Sequence, residues 1–357
     1  MSTAPLANTT GRATGPSTGH RAAGHPVRGN VLAVSLGLTA VLCLLVIAFA
    51  WPATQLAPRS LPIVVAGPAE ATAQVGAALD KAAPGGFAVT VVPDEATARA
   101  AIERRDAYGA VVLGQTPSVL TASAGSPVVA QLLTQMATTL EARQGGAAAP
   151  AVRVVDVVPL PASDPRGVGL AALALPLVIG GLAVGGALTT AIAGVGRRVL
   201  GVFLTAIFAG MALTGIAHSW LGLLDGAWWA EAGVIALRLS AVGLTLVGLE
   251  ALFGFRGFVL GAAVIMLIGN PFSGMTSAPE MLPSGWSTLG QWLPPGAAGT
   301  LLRSVSFFDG AGGARPLAIL AGWVVLGLLL AALGSRVSRR RTRQSAPLDA
   351  AARPLPA

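Results

Sequence analysis

The uncharged run VLAVSLGLTAVLCLLVIAFAW, Val31 to Trp51, limits this chain more than any other feature. About 20 consecutive apolar residues, at about 1.5 Å per residue, are what a helix needs to cross about 30 Å of hydrocarbon. Comparable runs recur at Val168–Gly194, Val199–Leu221, Ala232–Phe255 and Leu317–Gly334, with a shorter one at Gly257–Phe272. Composition agrees: 54% of residues are hydrophobic and 11% charged, against about one quarter charged in an ordinary soluble domain. The expectation is a polytopic α-helical membrane protein with six transmembrane helices. "AFA" before Trp51 resembles a signal-peptide cleavage site. The run is nevertheless longer than a signal core of about 7–15 residues, so an uncleaved anchor is expected.

Arginine placement predicts the direction of each crossing. Arg12, Arg21 and Arg28, the pair Arg197–Arg198, Arg256, and the series from Arg336 to Arg353 all fall on one side of the alternation. The short loops of the other side hold Asp225, Glu231, Glu280 and Asp309 against Arg303 and Arg315. Both termini are therefore expected in the cytoplasm of a multi-pass plasma-membrane protein. Residues 1–29 and 336–357 form the tails, the first of them disordered. Residues 53–166 are expected outside. The pI near 11.4 comes largely from cytoplasmic arginines and carries no nucleic-acid readout pattern.

Within that outside segment the pattern changes to alternating strands and helices: LPIVVAG, EATAQVGAALDKA, FAVTVVP, DEATARAAIERRD, AYGAVVLG, SVLTASAG, a helix over Pro127–Arg143, and VRVVDVVPL. Asp94 or Glu95 is placed to cap the second helix. An extracytoplasmic α/β domain with one sheet, inserted between helices 1 and 2, is expected. It has neither histidine nor cysteine, and its serines sit in no glycine-x-serine-x-glycine elbow. The charges of Glu103, Arg104, Arg105 and Asp106 read as a solvated helix face. The chain is expected not to be an enzyme. It has no phosphate-binding loop, and its one lysine is Lys81. With one cysteine, Cys43, and three histidines, two of them in the first tail, neither a disulfide, a metal site nor a cofactor is expected.

In the membrane part, Pro176 should kink the second span. Gly181 and Gly185, flanked by Gly180 and Gly186, offer a small-residue face for close helix approach, within the chain or between subunits. His218, Arg238 and Glu250 are ionisable groups inside spans. Glu231 lies seven residues before Arg238 on nearly the same helical face, and Glu250 two turns before Arg256. The fifth span is cut at Asn270-Pro271. Residues 273–315 then read as an outer re-entrant or interfacial hairpin, anchored in the outer leaflet by Trp286 and Trp292.

The motifs GNPFSG (Gly269 to Gly274), LPSGWSTLGQWLPPGAA (Leu282 to Ala298) and LLRSVSFFDG, on a single span followed by an insertion and five clustered spans, resemble the membrane subunits of ABC-2-type ABC exporters. The branch containing phage-infection (Pip)-like proteins is the most similar. The likeness covers roughly residues 30–335. It implies a permease in contact with membrane lipids that pairs with a separate cytoplasmic ABC ATPase, acts as a homodimer or heterodimer, and moves an apolar or amphipathic substrate. GHRAAGHPVRGN, before the first span, departs from such exporters in lacking an apolar stripe. The alternative from another class is a non-transporting envelope protein whose outside domain binds a partner, as a phage receptor does.

Overall fold

The computed structural model describes residues 31–143 and 152–344. The tail expected over residues 1–29, and residues 345–357 of the basic tail, lie outside the described residues. Two compact units divide the chain, Met1–Leu44 and Leu45–Ala357. Of the first, residues 31–44 are described, and they form the exposed, apolar beginning of helix α1 (Val31–Thr54). That helix runs on past Trp51, where the apolar run ends, and carries Pro52 in its last turn.

The second unit opens with a five-stranded sheet. Its strands are β1 (Leu61–Ala66), β2 (Phe87–Val92), β3 (Gly109–Val112), β4 (Ser118–Thr121) and β5 (Arg153–Asp156), in the order β2-β1-β3-β4-β5. All neighbours are parallel except β3 and β4. Helix α2 (Ala69–Ala82) links β1 to β2, α3 (Glu95–Glu103) links β2 to β3, and α4 (Pro127–Arg143) follows β4. The period of two along a strand divides the core between two faces. Leu61, Ile63 and Val119 lie with Leu79 of α2 and Leu133 of α4. Val64, Ala66 and Leu120 lie with Ala98 and Ile102 of α3, and this second cluster continues without a gap into the helical part through Leu170, Leu301 and Phe308. Asp94 caps α3 by accepting from the Thr97 amide at 2.7 Å.

The helices that follow among the described residues are α5 (Val168–Ala172), α6 (Ala174–Ala191), α7 (Val195–Thr214), α8 (Trp228–Phe253), α9 (Phe255–Val264), α10 (Trp286–Trp292), α11 (Pro294–Phe307) and α12 (Ala314–Gln344). Among the described residues, five helical stretches are long and apolar enough to cross a membrane: Val31–Thr54, Val168–Ala191, Val195–Trp220, Trp228–Phe253 and Ala314–Val337. The stretch Phe255–Gly269 is apolar but too short to join them. In the most apolar part of α8, 78% of residues are buried, against 22–33% for the three long stretches of the second unit that include α6, α7 and α12. α8 is therefore the central helix. Small residues allow its neighbours to approach closely. A Cβ on Gly210 would meet Ala236 Cβ at 2.9 Å, and one on Gly327 would meet Leu244 Cβ at 2.7 Å.

Three boundaries depart from the sequence reading. Where a kink was expected at Pro176, the helix is interrupted three residues earlier, at Leu173 between α5 and α6, with the backbone still in the right-handed helical region. The proline nitrogen cannot bond to the carbonyl of Ala172, so the helical hydrogen bonding breaks in the turn before it. The third span ends in a π-helical turn, Gly215–Trp220. The last helix runs past Gly334, where the apolar run ends, and continues through the basic residues from Arg336 to Gln344.

Candidate functional site

The interrupted helix organises the region around it. α9 widens into a π-helical turn, Ile265–Gly269, and ends where Pro271 withholds a backbone donor. The free groups beyond are then taken up locally. Asn270 N donates to Ile265 O at 3.0 Å, and Ser273 Oγ donates to the Asn270 carbonyl at 2.7 Å. Arg303, buried in α11, donates to the carbonyl oxygens of Gly274, at 3.2 Å, and Met275. Irregular backbone away from water is tolerated only when its polar groups find partners. Here one arginine side chain supplies two of them.

The segment then turns back through a 3-10 turn at Pro279–Met281 into α10 and α11. Gln291 ties this hairpin together: its amide donates to Ser273 O at 2.9 Å, and its Oε1 accepts from the Thr300 hydroxyl at 2.7 Å. Gly290 rests directly on the Phe272 carbonyl, where any Cβ would collide with backbone. Trp286 stacks on Phe272 with centroids 4.8 Å apart, and Trp51 meets both rings edge-on at 6.0 Å. Trp286 and Trp292 are 39% and 55% exposed. The carbonyl of Trp292 accepts from Trp323 Nε1 of α12 at 2.8 Å.

Between the start of β1 and β3, the hairpin and the start of α12 lies a cavity of about 350 Å³. Its polar lining is Arg105, Tyr108, Glu280, Gln291, Thr300 and Arg315. Arg105 follows the end of α3 with φ of 63°, a left-handed position that glycine usually fills. Its side chain crosses to α11, donating to Thr300 O at 3.0 Å and to Ser304 Oγ, and lies 5.1 Å over the Phe308 ring. The cost of a left-handed arginine, about 1 kcal/mol or more, is offset by these contacts. Tyr108 donates to Glu280 Oε2 at 2.8 Å. Burial, followed by the neighbouring Glu280 carboxylate, holds the Tyr108 hydroxyl well above its ordinary pKa, and burial lowers that of Arg105.

Arg105 was expected on a solvated face with Glu103, Arg104 and Asp106. Arg104 and Asp106 do form an exposed pair at 3.1 Å, but Arg105 turns inward. In sequence nothing marked its role, because the expected helix ran on through Arg105 to Asp106, whereas α3 ends at Glu103. Tyr108 and Gln291 gave no sign at all.

The other residues singled out in the sequence fall elsewhere. Glu231 does not reach Arg238: its carboxylate pairs with His218 Nδ1 at 2.8 Å and accepts from Gly226 N at 2.9 Å. The π-helical turn brings His218 round to Glu231. Arg238 is buried, donates weakly to Ala174 O at 3.4 Å, and leaves its Nε without a partner. Glu250 pairs with Arg198 and not with Arg256. This ion pair borders a second cavity, of about 720 Å³, with Arg197 and Ser335. Gly181 and Gly185 face α8 of the same chain, where added Cβ atoms would lie 2.9 Å from Val242 Cγ1 and 3.0 Å from Leu246 Cβ. Gly180 and Gly186 have more room, at 3.6 Å from Leu239 and 3.2 Å from Phe258. The small-residue face is thus engaged within the chain. Among the described residues no group of three or more histidine, cysteine, aspartate or glutamate side chains is arranged to hold a metal ion.

Comparison with family models, with curated proteins and with solved structures returns no match.

Proposed function

We propose that the chain is the membrane-spanning permease subunit of an ABC-2-type exporter, driven by a separate cytoplasmic ATPase. In this reading the short helix Phe255–Gly269 enters the bilayer as a sixth, incomplete crossing. The sheet of residues 61–156 stands outside, both tails lie in the cytoplasm of the plasma membrane, and two permease subunits form the exporter. The observation that carries the proposal is the interrupted helix with its hairpin. Asn270-Pro271 stops α9, Arg303 takes up the freed carbonyls, and α10 and α11 fold back against α8 and α12. Two supports stand beside it: the motif likeness over Gly269–Ala298 and the absence of a nucleotide-binding loop from the sequence. Differential free energy for outward movement would come from ATP binding by the partner, transmitted to α6, α8 and the interrupted helix. The substrate moves; this chain makes and breaks no bond.

The rival reading, a surface protein whose outside domain binds a partner, draws on the cleft of about 400 Å³ between α2 and α4. Leu79, Leu132, Leu133 and Met136 line it, and its walls are almost wholly apolar. The two readings separate in one measurement. Gentle-detergent affinity purification of the full chain from its native cells should bring down an ABC ATPase, and substrate export should stop when that ATPase is inactivated. Recovery of no ATPase, with function retained by the first helix and residues 53–166 alone, would establish the rival.

A further inference from the structure

The 350 Å³ cavity shares Arg315 and Ile319 with a neighbouring space. An apolar groove of about 560 Å³ begins at the same arginine and Ile319 and runs along α12 past Gly322 and Trp323 to Leu326, with Leu289, Trp292 and Leu293 as its other wall. The two spaces differ in chemistry. The first has guanidinium, phenol, carboxylate, amide and hydroxyl groups. Apart from Arg315, the second has none of these side-chain groups.

Charge in the first space is unbalanced. Arg105 and Arg315 face one carboxylate, Glu280, and Arg105 and Glu280 attract each other. Arg315 is exposed, lies 5.8 Å over the Trp292 ring, and has no carboxylate within 4.0 Å among the described residues. One positive charge is therefore left at the junction of a polar chamber and a greasy channel. Such an arrangement is complementary to a molecule with one negative charge at the root of a hydrocarbon chain.

We infer that the cavity and groove form one binding site for an anionic amphiphile of the phospholipid type, its charged headgroup beside Arg315 and Arg105 and an acyl chain along α12. The inference rests on the permease reading for its place in export, where it names the substrate class as anionic lipid. Volume supports it: several hundred Å³ in the polar part is the usual size of a small-molecule site. Gly322 also leaves the groove open, since a Cβ there would meet nothing within 4 Å.

The test uses the purified full-length protein in micelles containing equal amounts of phosphatidylglycerol and phosphatidylcholine of identical chains, with bound lipid counted by native mass spectrometry. The wild type should retain phosphatidylglycerol about fivefold over phosphatidylcholine, which corresponds to about 1 kcal/mol for one guanidinium near an anionic lipid. Arg315→Gln, at an exposed position, should bring the ratio to about one with an unchanged thermal unfolding midpoint. Gly322→Leu, which fills the groove, should reduce occupancy by both lipids, whereas Arg197→Gln, distant in sequence and exposed, should leave the ratio unchanged. An equal ratio in the wild type, a ratio insensitive to Arg315→Gln, or an equal loss in Arg197→Gln would overturn the proposal. Displacement of the lipid by millimolar inorganic phosphate would do so too, because it would mark a site for a free anion. No ATPase takes part, so failure to find one leaves this result standing, and loss of the lipid preference leaves the permease assignment open.

Discussion

Tyr108 is the chain's single tyrosine, and that makes the cavity reportable by one chromophore. Burial and the Glu280 carboxylate both favour its neutral phenol in the folded protein. Its folded pKa is raised above the ordinary value of about 10, so the stabilisation is fully present below about pH 10 and is lost as pH rises beyond it. In an alkaline titration of the folded protein, tyrosinate absorbance should stay absent past pH 10 and appear together with unfolding. A smooth ionisation near pH 10, with the fold retained, would place Tyr108 in water. The same residue shows where single-sequence reasoning stops. Nothing about an Ala-Tyr-Gly tripeptide at the start of a strand reports a carboxylate 172 positions away. Arg105 is similar. Its neighbours Arg104 and Asp106 are the solvated charges they were expected to be, and only the left-handed backbone at the helix end turns this one arginine inward.

At the scale of elements, the contact between α6 and α8 makes a prediction with opposite signs at adjacent positions. Gly181→Ala must push against Val242, where the new Cβ would sit at 2.9 Å. It should lower the thermal unfolding midpoint in detergent, at an overpacking cost of about 1 kcal/mol or more. Gly180→Ala meets Leu239 at an ordinary 3.6 Å. It should raise the midpoint, since alanine in a helix is favoured over glycine by about 0.5–1 kcal/mol. Equal effects of the two would mean that α6 does not rest on α8 through this face. The long helices were legible because apolar length is a local property of the sequence, and strands β1 to β5 because period-two runs bounded by glycine and proline are local as well. The π-helical turns were not. The pairings of Glu231 with His218 and of Glu250 with Arg198 were missed for a related reason. Each joins two helices, whereas spacing along one helix points to Arg238 and Arg256 instead.

For the molecule as a whole, the orientation proposed above can be read with one reporter at a time. Cys43 is the only cysteine, so a Cys43→Ser background accepts single probes. Thr116→Cys, exposed between β3 and β4, should react with an impermeant maleimide on intact cells. Ser2→Cys and Ser345→Cys should react only after the membrane is opened. Labelling of either tail on intact cells, or protection of Thr116→Cys, would reverse the assignment of sides.

The last helix adds a mechanical point. α12 runs 31 residues, about 46 Å at about 1.5 Å per residue, and after Pro316 it contains no proline. One continuous helix thus connects the arginine-rich extremity to Trp323, whose indole holds the Trp292 carbonyl, and through it to the hairpin four to five turns away.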